Sequence, residues 1–238
     1  MRKHRFPQPG PLGKVADMTS QTTSLLSCFQ GKPQSKSIRV LIIPGLRNSG
    51  HGHWQSWLQT QYRGAVRVTQ ANWDTPDLQS WSNQIDHTLA RHAPDTQWIA
   101  VAHSFGCLAL AHYLSAQKAL AQARTGDRAD GICAALMVAP ADPVKFQLTE
   151  QLPHDGLCLN ATVVGSENDP WMPLERARLW ADRWGAGFHN LGEAGHVNTE
   201  SGFGPWPLAR YKVDQMIRYL QGQKRLERAH PMEFTYGI

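Results

Sequence analysis

Cysteine is scarce in this chain, and the four present (Cys28, Cys107, Cys133 and Cys158) include no C-x-x-C pair. That argues against a structural zinc site or a thioredoxin-like redox site. Three of the four sit in or beside apolar runs, as reduced and buried thiols do. No apolar run reaches the length of a transmembrane helix. The N-terminus begins basic but lacks the apolar stretch of a signal peptide. The default expectation is a soluble cytoplasmic protein, with no membrane partner. No G-x-x-x-x-G-K-[ST] phosphate loop is present, and no internal repeat is visible.

The formal net charge of +5 is not concentrated in a basic helix with interleaved aromatics. Arg2, Lys3, Arg5 and Lys14 lie near one end, and Lys224, Arg225 and Arg228 near the other. The excess is therefore read as tail charge, and no nucleic-acid partner is expected.

The 238 residues suit one compact domain, and the 41% of hydrophobic residues suffices for a sizeable core. Nine Trp is a high number. Most should be core filler, with some lining a cleft. Residues 1–37 are rich in Pro, Gly, Gln, Ser and Lys, and are read as a disordered extension in which Met18 is an alternative start. Residues 38–222 form the expected domain, and 223–238 a C-terminal tail.

Six apolar runs read as strands: Ile38 to Ile43, Ala65 to Val68, Trp98 to Ala102, Ile132 to Val138, Ala161 to Val164 and Gly187 to Leu191. Helical periodicity appears at Trp54 to Tyr62, Leu78 to Leu89, Gly106 to Leu114, Leu174 to Trp184 and Ala209 to Leu220. Strands alternating with helices predict an α/β domain with a mostly parallel sheet covered on both faces. The stretch from Ala141 to Leu157, with Pro143, Pro153 and Gly156, reads as a loop at a cleft wall.

The run ending at Ala102 meets Ser104 almost at once, and a helix follows. A strand, a one-residue tip and a helix make a sharp turn that projects the tip side chain into a cleft. Such an elbow needs small neighbours, supplied here by Ala102 and Gly106. The usual G-x-S-x-G pattern thus has Ala at its first glycine. A serine at a helix N-cap also has a purely structural explanation. The helix start favours a developing oxyanion, with the Phe105 N–H as one expected donor. The glycine-containing loop after Ile43 is expected to supply the second, from Leu46. His51 and His53 lack a supporting carboxylate or cysteine cluster, so no metal site is expected. His53 is instead read as holding the loop, and Trp54 as packing at the helix start.

A serine nucleophile needs a base, and the base needs a carboxylate to fix its tautomer. Asp169 follows the run ending at Val164 and is stiffened by Pro170 and Pro173; Glu167 is the second candidate. A plain turn would also explain an Asp before Pro. His196 follows the last run, after Gly195. Ser104, Asp169 and His196 fall in the order that a catalytic triad takes on α/β folds of this kind. His103 is expected to point away. Trp73, Trp171 and Phe105 are candidates for an aromatic substrate wall.

Further segments carry a family likeness: Ile43-Pro44-Gly45, Gly52-His53-Trp54, Trp73 with Pro76, Ala102 to Cys107, Asp169-Pro170-Trp171, and Gly195 to Asn198 with Glu200-Ser201-Gly202. With these, the chain resembles the small serine hydrolases typified by retinoblastoma-binding protein 9 and bacterial YdeN, the bacterial branch more closely. The resemblance covers residues 39 to about 220. It implies a compact α/β-hydrolase without an extensive lid, with Ser104, Asp169 and His196 as its triad. The expected activity is hydrolysis of an ester or other acyl bond of a small molecule, without metal or organic cofactor. The alternative is a protein-interaction module that retains the fold.

Overall fold

The computed structural model describes residues 37–123 and 131–229. The expected N-terminal extension, Ser37 apart, lies outside them. Six strands and five helices follow in the order β1 (Ile38–Ile43), α1 (Trp54–Gln61), β2 (Val66–Arg67), α2 (Leu78–Leu89), β3 (Gln97–His103), α3 (Phe105–Ala123), β4 (Gly131–Val138), β5 (Asn160–Gly165), α4 (Leu174–Arg183), β6 (Gly187–Asn190) and α5 (Pro207–Ala229). The strands form one sheet in the order β2-β1-β3-β4-β5-β6, and every neighbouring pair is parallel. The expected alternation and sheet type are thus present.

Side chains of one strand alternate between faces, and the two cores follow that alternation. Leu41, Ile43, Ala100, Ala102, Ala135 and Met137 meet α2, α3 and α4 on one face. Val40, Ile42, Ile99, Val101, Leu136 and Val138 meet α1 and α5 on the other. Each fully buried Leu, Ile or Val contributes roughly 1.5–3 kcal/mol. Trp54, Trp81, Trp98, Trp180 and Trp184 are almost wholly buried, so most of the tryptophans are indeed core filler. Cys107 is buried, but Cys133 is only partly so and Cys158 is exposed.

Capping explains two helix starts. His53 Nδ1 accepts the Gln55 N–H at the head of α1, and Asp77 accepts the Ser80 N–H at the head of α2. The helix after Ser104 runs well beyond Leu114, through Ala116, Gln117, Lys118, Ala119 and Leu120, which are good helix formers. The last helix continues past residue 222 to Ala229, into the stretch read as tail; Gln223, Lys224, Arg225 and Leu226 are good helix formers. Among the described residues no helix is long and apolar enough to cross a membrane.

The chain order reverses between β1 and β3, which are neighbours in the sheet with helices leaving to opposite faces. A crevice opens outside the carboxyl ends of strands at such a switch point. The loop after β1 and the tip after β3 both border it.

Candidate active site

Ser104 has φ 53°, the left-handed conformation that a side chain resists and that a sharp elbow imposes. Its N–H donates to the Val138 carbonyl at the end of β4 (3.1 Å), and its own carbonyl accepts the Cys107 N–H (3.0 Å). The small flanking residues are sterically required. A Cβ on Gly106 would lie 2.4 Å from the Pro44 oxygen and 2.6 Å from the Ile43 oxygen. Ala102 is fully buried in the register opposite Ile43 and Met137, where its methyl is accommodated.

His196 Nε2 lies 2.9 Å from Ser104 Oγ, and its Nδ1 lies 2.9 Å from each Asp169 carboxylate oxygen. The Asp169 side chain is only 2% exposed, so solvent hardly competes for it. Glu167, the second candidate acid, is exposed and accepts a hydrogen bond from Asn190 Nδ2 instead.

The main chain of His196 is gripped from several sides. His103 Nε2 donates to the His196 carbonyl (2.9 Å), Ser201 Oγ accepts the His196 N–H (3.1 Å), and Trp54 Nε1 donates to the Val197 carbonyl (2.8 Å). Asn168 Oδ1 accepts the Gly195 N–H (2.6 Å), which ties the loop of the base to the loop of the acid. Ser166 adds to this tie, donating to the Gly192 carbonyl and accepting the Ala194 N–H. His103 was expected from the sequence to point away from the site, and instead it supports the base. It packs with its ring 5.0 Å from that of His196 and 4.8 Å from that of His53. Burial, then the neighbouring His196 and His53 rings, hold the His103 pKa well below its ordinary value. Burial, then the Arg67 charge, pushes His53 down to about 4. Both rings are neutral at ordinary pH.

The loop after β1 presses on the nucleophile. A Cβ on Gly45 would sit 2.7 Å from Ser104 Cβ and 3.3 Å from its Oγ. No backbone hydrogen bond among the described residues engages the N–H of Leu46 or that of Phe105. The next two residues, Arg47 (φ 61°) and Asn48 (φ 64°), are both left-handed. Arg67 holds this bend by donating to Asn48 Oδ1, the Ser49 carbonyl and Ser56 Oγ. Gln55, wholly buried, accepts from Ser49 Oγ and donates to the carbonyls of Ile43 and Val101. It thereby bridges the two strands that carry the loop and the nucleophile.

A cavity of about 280 Å³ opens beside Ser104; Leu46, Ala141, Phe146 and Trp171 give it an apolar side. Trp171 is half exposed, 6.2 Å from the His196 ring, with Lys145 Nζ over its face. Trp73 is not among the lining residues. It packs edge-on against Trp81, and its carbonyl accepts the Arg47 N–H, so it props the loop from behind. Phe105 also turns inward, between Trp81 and Phe146. Phe146 takes the place expected of these two; it lies in the loop after β4 that was read as a cleft wall, though the residue itself was not singled out. Asn168 and Ser201 adjoin recognised positions, yet only the folded geometry shows what they hold. Among the described residues, no group of three or more His, Cys, Asp or Glu is placed to hold a metal ion.

The sequence model of the serine hydrolase family matches residues 40–215. A YdeN-like hydrolase of Pectobacterium atrosepticum is 32% identical, aligned over 75% of this chain and 90% of its own, with a TM-score of 0.66. The ydeN gene product of B. subtilis is 19% identical over 76% of this chain and 100% of its own, at 0.60. The α/β-hydrolase domain-containing protein 10 of mouse is 14% identical over 76% and 90%, at 0.55, and shares the fold. No curated protein matches the sequence.

Proposed function

Because this chain belongs to the YdeN-like serine hydrolase family of the α/β-hydrolase superfamily, we propose that it cleaves an ester or other acyl bond of a small substrate through Ser104, His196 and Asp169. The observation that carries this reading is the unbroken hydrogen-bonded chain from Asp169 through His196 to Ser104, at 2.9 Å in each link.

Ser104 Oγ attacks the acyl carbon while its proton passes to His196 Nε2. The carbonyl electron pair moves onto oxygen, and the N–H groups of Leu46 and Phe105 hold the oxyanion. Asp169 stays ionised and stabilises the imidazolium. Collapse expels the alcohol, which takes the proton from His196 and leaves an acyl-enzyme. Water then attacks that ester, with His196 again as base. Ser104 is released with its proton, and the acid departs.

Hydrolysis of p-nitrophenyl butyrate by the intact protein, and its loss in Ser104→Ala, tests the assignment. The loss should reach several orders of magnitude. An unaltered rate in that variant would sink it. Failure of a fluorophosphonate to label Ser104 in folded protein would favour the alternative, a protein-interaction module on the same fold.

A further inference from the structure

The cavity beside Ser104 has a second, polar side to which His53, Asn48 and Asn198 contribute. In each of these three the acceptor atom is already occupied within the protein. His53 Nδ1 accepts the Gln55 N–H at 3.1 Å. The proton of the neutral ring is therefore on Nε2. Asn48 Oδ1 accepts the Ser49 N–H (2.7 Å) and Arg67 Nη1 (3.1 Å). Asn198 Oδ1 accepts the N–H (3.0 Å) and the hydroxyl (2.9 Å) of Ser201.

What each side chain has left is a donor. The Nε2–H of His53 and the amide NH₂ groups of Asn48 and Asn198 have no partner among the described residues. His53 is 5% exposed, yet its Nε2 is not among the polar atoms sealed from solvent. That N–H therefore opens onto the cavity it lines. When a substrate displaces water from the cavity, a donor left without a partner is costly, and a ligand acceptor removes the cost. The depressed pKa of His53 keeps the ring a neutral donor through the working pH range. Arg47 and Glu200, both exposed, line the cavity with opposite charges, so its charged rim selects neither an anionic nor a cationic ligand group.

We infer that His53, Asn48 and Asn198 form a donor-only recognition wall, and that the substrate is an ester bearing a neutral acceptor oxygen (ether, hydroxyl or carbonyl) close to the scissile bond. This rests on the acyl-transfer reading of Ser104. The wall acts on specificity, since a site built of donors rejects an analogue that lacks the acceptor.

Two pairs of esters, each matched in shape and differing by one CH₂ replaced by O, test it. p-Nitrophenyl methoxyacetate against p-nitrophenyl butyrate probes the acyl side; 2-methoxyethyl acetate against butyl acetate probes the alcohol side. Each kcat/KM ratio is divided by the corresponding ratio for hydroxide. The corrected preference for the ether should be about two- to tenfold in at least one pair, as one net hydrogen bond implies. It should fall toward one in His53→Asn, whose side-chain oxygen still caps α1 but whose NH₂ is withdrawn from the cavity. It should fall likewise in Asn48→Gly, which tolerates the left-handed backbone and removes the amide. Asn48→Gly gives the answer if His53→Asn does not fold. A corrected ratio near one for both pairs in the wild type, or a preference unchanged in the folded variants, overturns the inference while leaving the hydrolase intact. Hydrolysis of none of the four esters, with no labelling of Ser104, overturns the acyl-transfer reading itself.

Discussion

Replacing Asp169 by Asn keeps the size of the side chain and removes one charge. Both carboxylate oxygens lie 2.9 Å from His196 Nδ1, and Oδ1 also accepts the Trp171 N–H at 2.8 Å. In the variant that backbone N–H, which can only donate, claims the amide oxygen. The amide NH₂ is left facing His196 Nδ1. Two donors cannot share the gap, so the imidazole releases its Nδ1 proton and carries it on Nε2. Nε2 then donates to Ser104 Oγ, 2.9 Å away, where it should accept. The base is lost together with the charge that stabilises the imidazolium. A wrong tautomer of this kind lowers kcat by about 10⁴, or about 5.4 kcal/mol. The side chain is 2% exposed, so water cannot take over the carboxylate's part. The measurement is kcat for p-nitrophenyl butyrate, with thermal unfolding as the control for folding. A folded variant within tenfold of the wild-type rate would refute the reasoning.

Gly106→Ala places a methyl 2.4 Å and 2.6 Å from two backbone oxygens of the β1 exit, which cannot swing aside as a side chain could. A loss of about 1–3 kcal/mol in urea unfolding is expected, with a fall in kcat as the elbow shifts; an unchanged midpoint would contradict the packing described. Stability should also depend on pH through His53 and His103, whose folded pKa values lie below the ordinary 6.5. Above pH 6.5 both states hold these rings neutral. As pH falls below 6.5, the unfolded chain binds protons that the folded one refuses. Each ring then removes about 1.4 kcal/mol of stability per pH unit, for His53 until about pH 4. Urea titrations at pH 7 and pH 5 test this, and the dependence should be shallower in His53→Asn. A wild-type stability that is flat between those two pH values would rule it out.

Local sequence carried the parts of this protein that local physics controls. The apolar run Ile38–Ile43 and the period of Leu78–Leu89 gave those two elements their bounds, because burial of a strand or of a helix face is written in the periodicity itself. The elbow was legible for a similar reason: a strand, one residue and a helix leave a single tip, and only small neighbours fit beside it. Chain order and loop position brought Ser104, Asp169 and His196 together as candidates.

Which side chains meet across those loops was decided by the tertiary structure alone. Asp169 and Glu167 are two residues apart, and only the seating of the base loop determines that the first faces His196 while the second bonds Asn190. Trp73 and Phe105 turned inward and Phe146 took the cavity wall, because aromatic rings go where neighbouring elements leave space. His103 reaches the base across 93 positions of sequence, since β3 lies in the middle of the sheet and the last loop folds back over its end. A sequence specifies the period and caps of each element. The register and order of the strands, fixed by the packing of both cores at once, choose the partners.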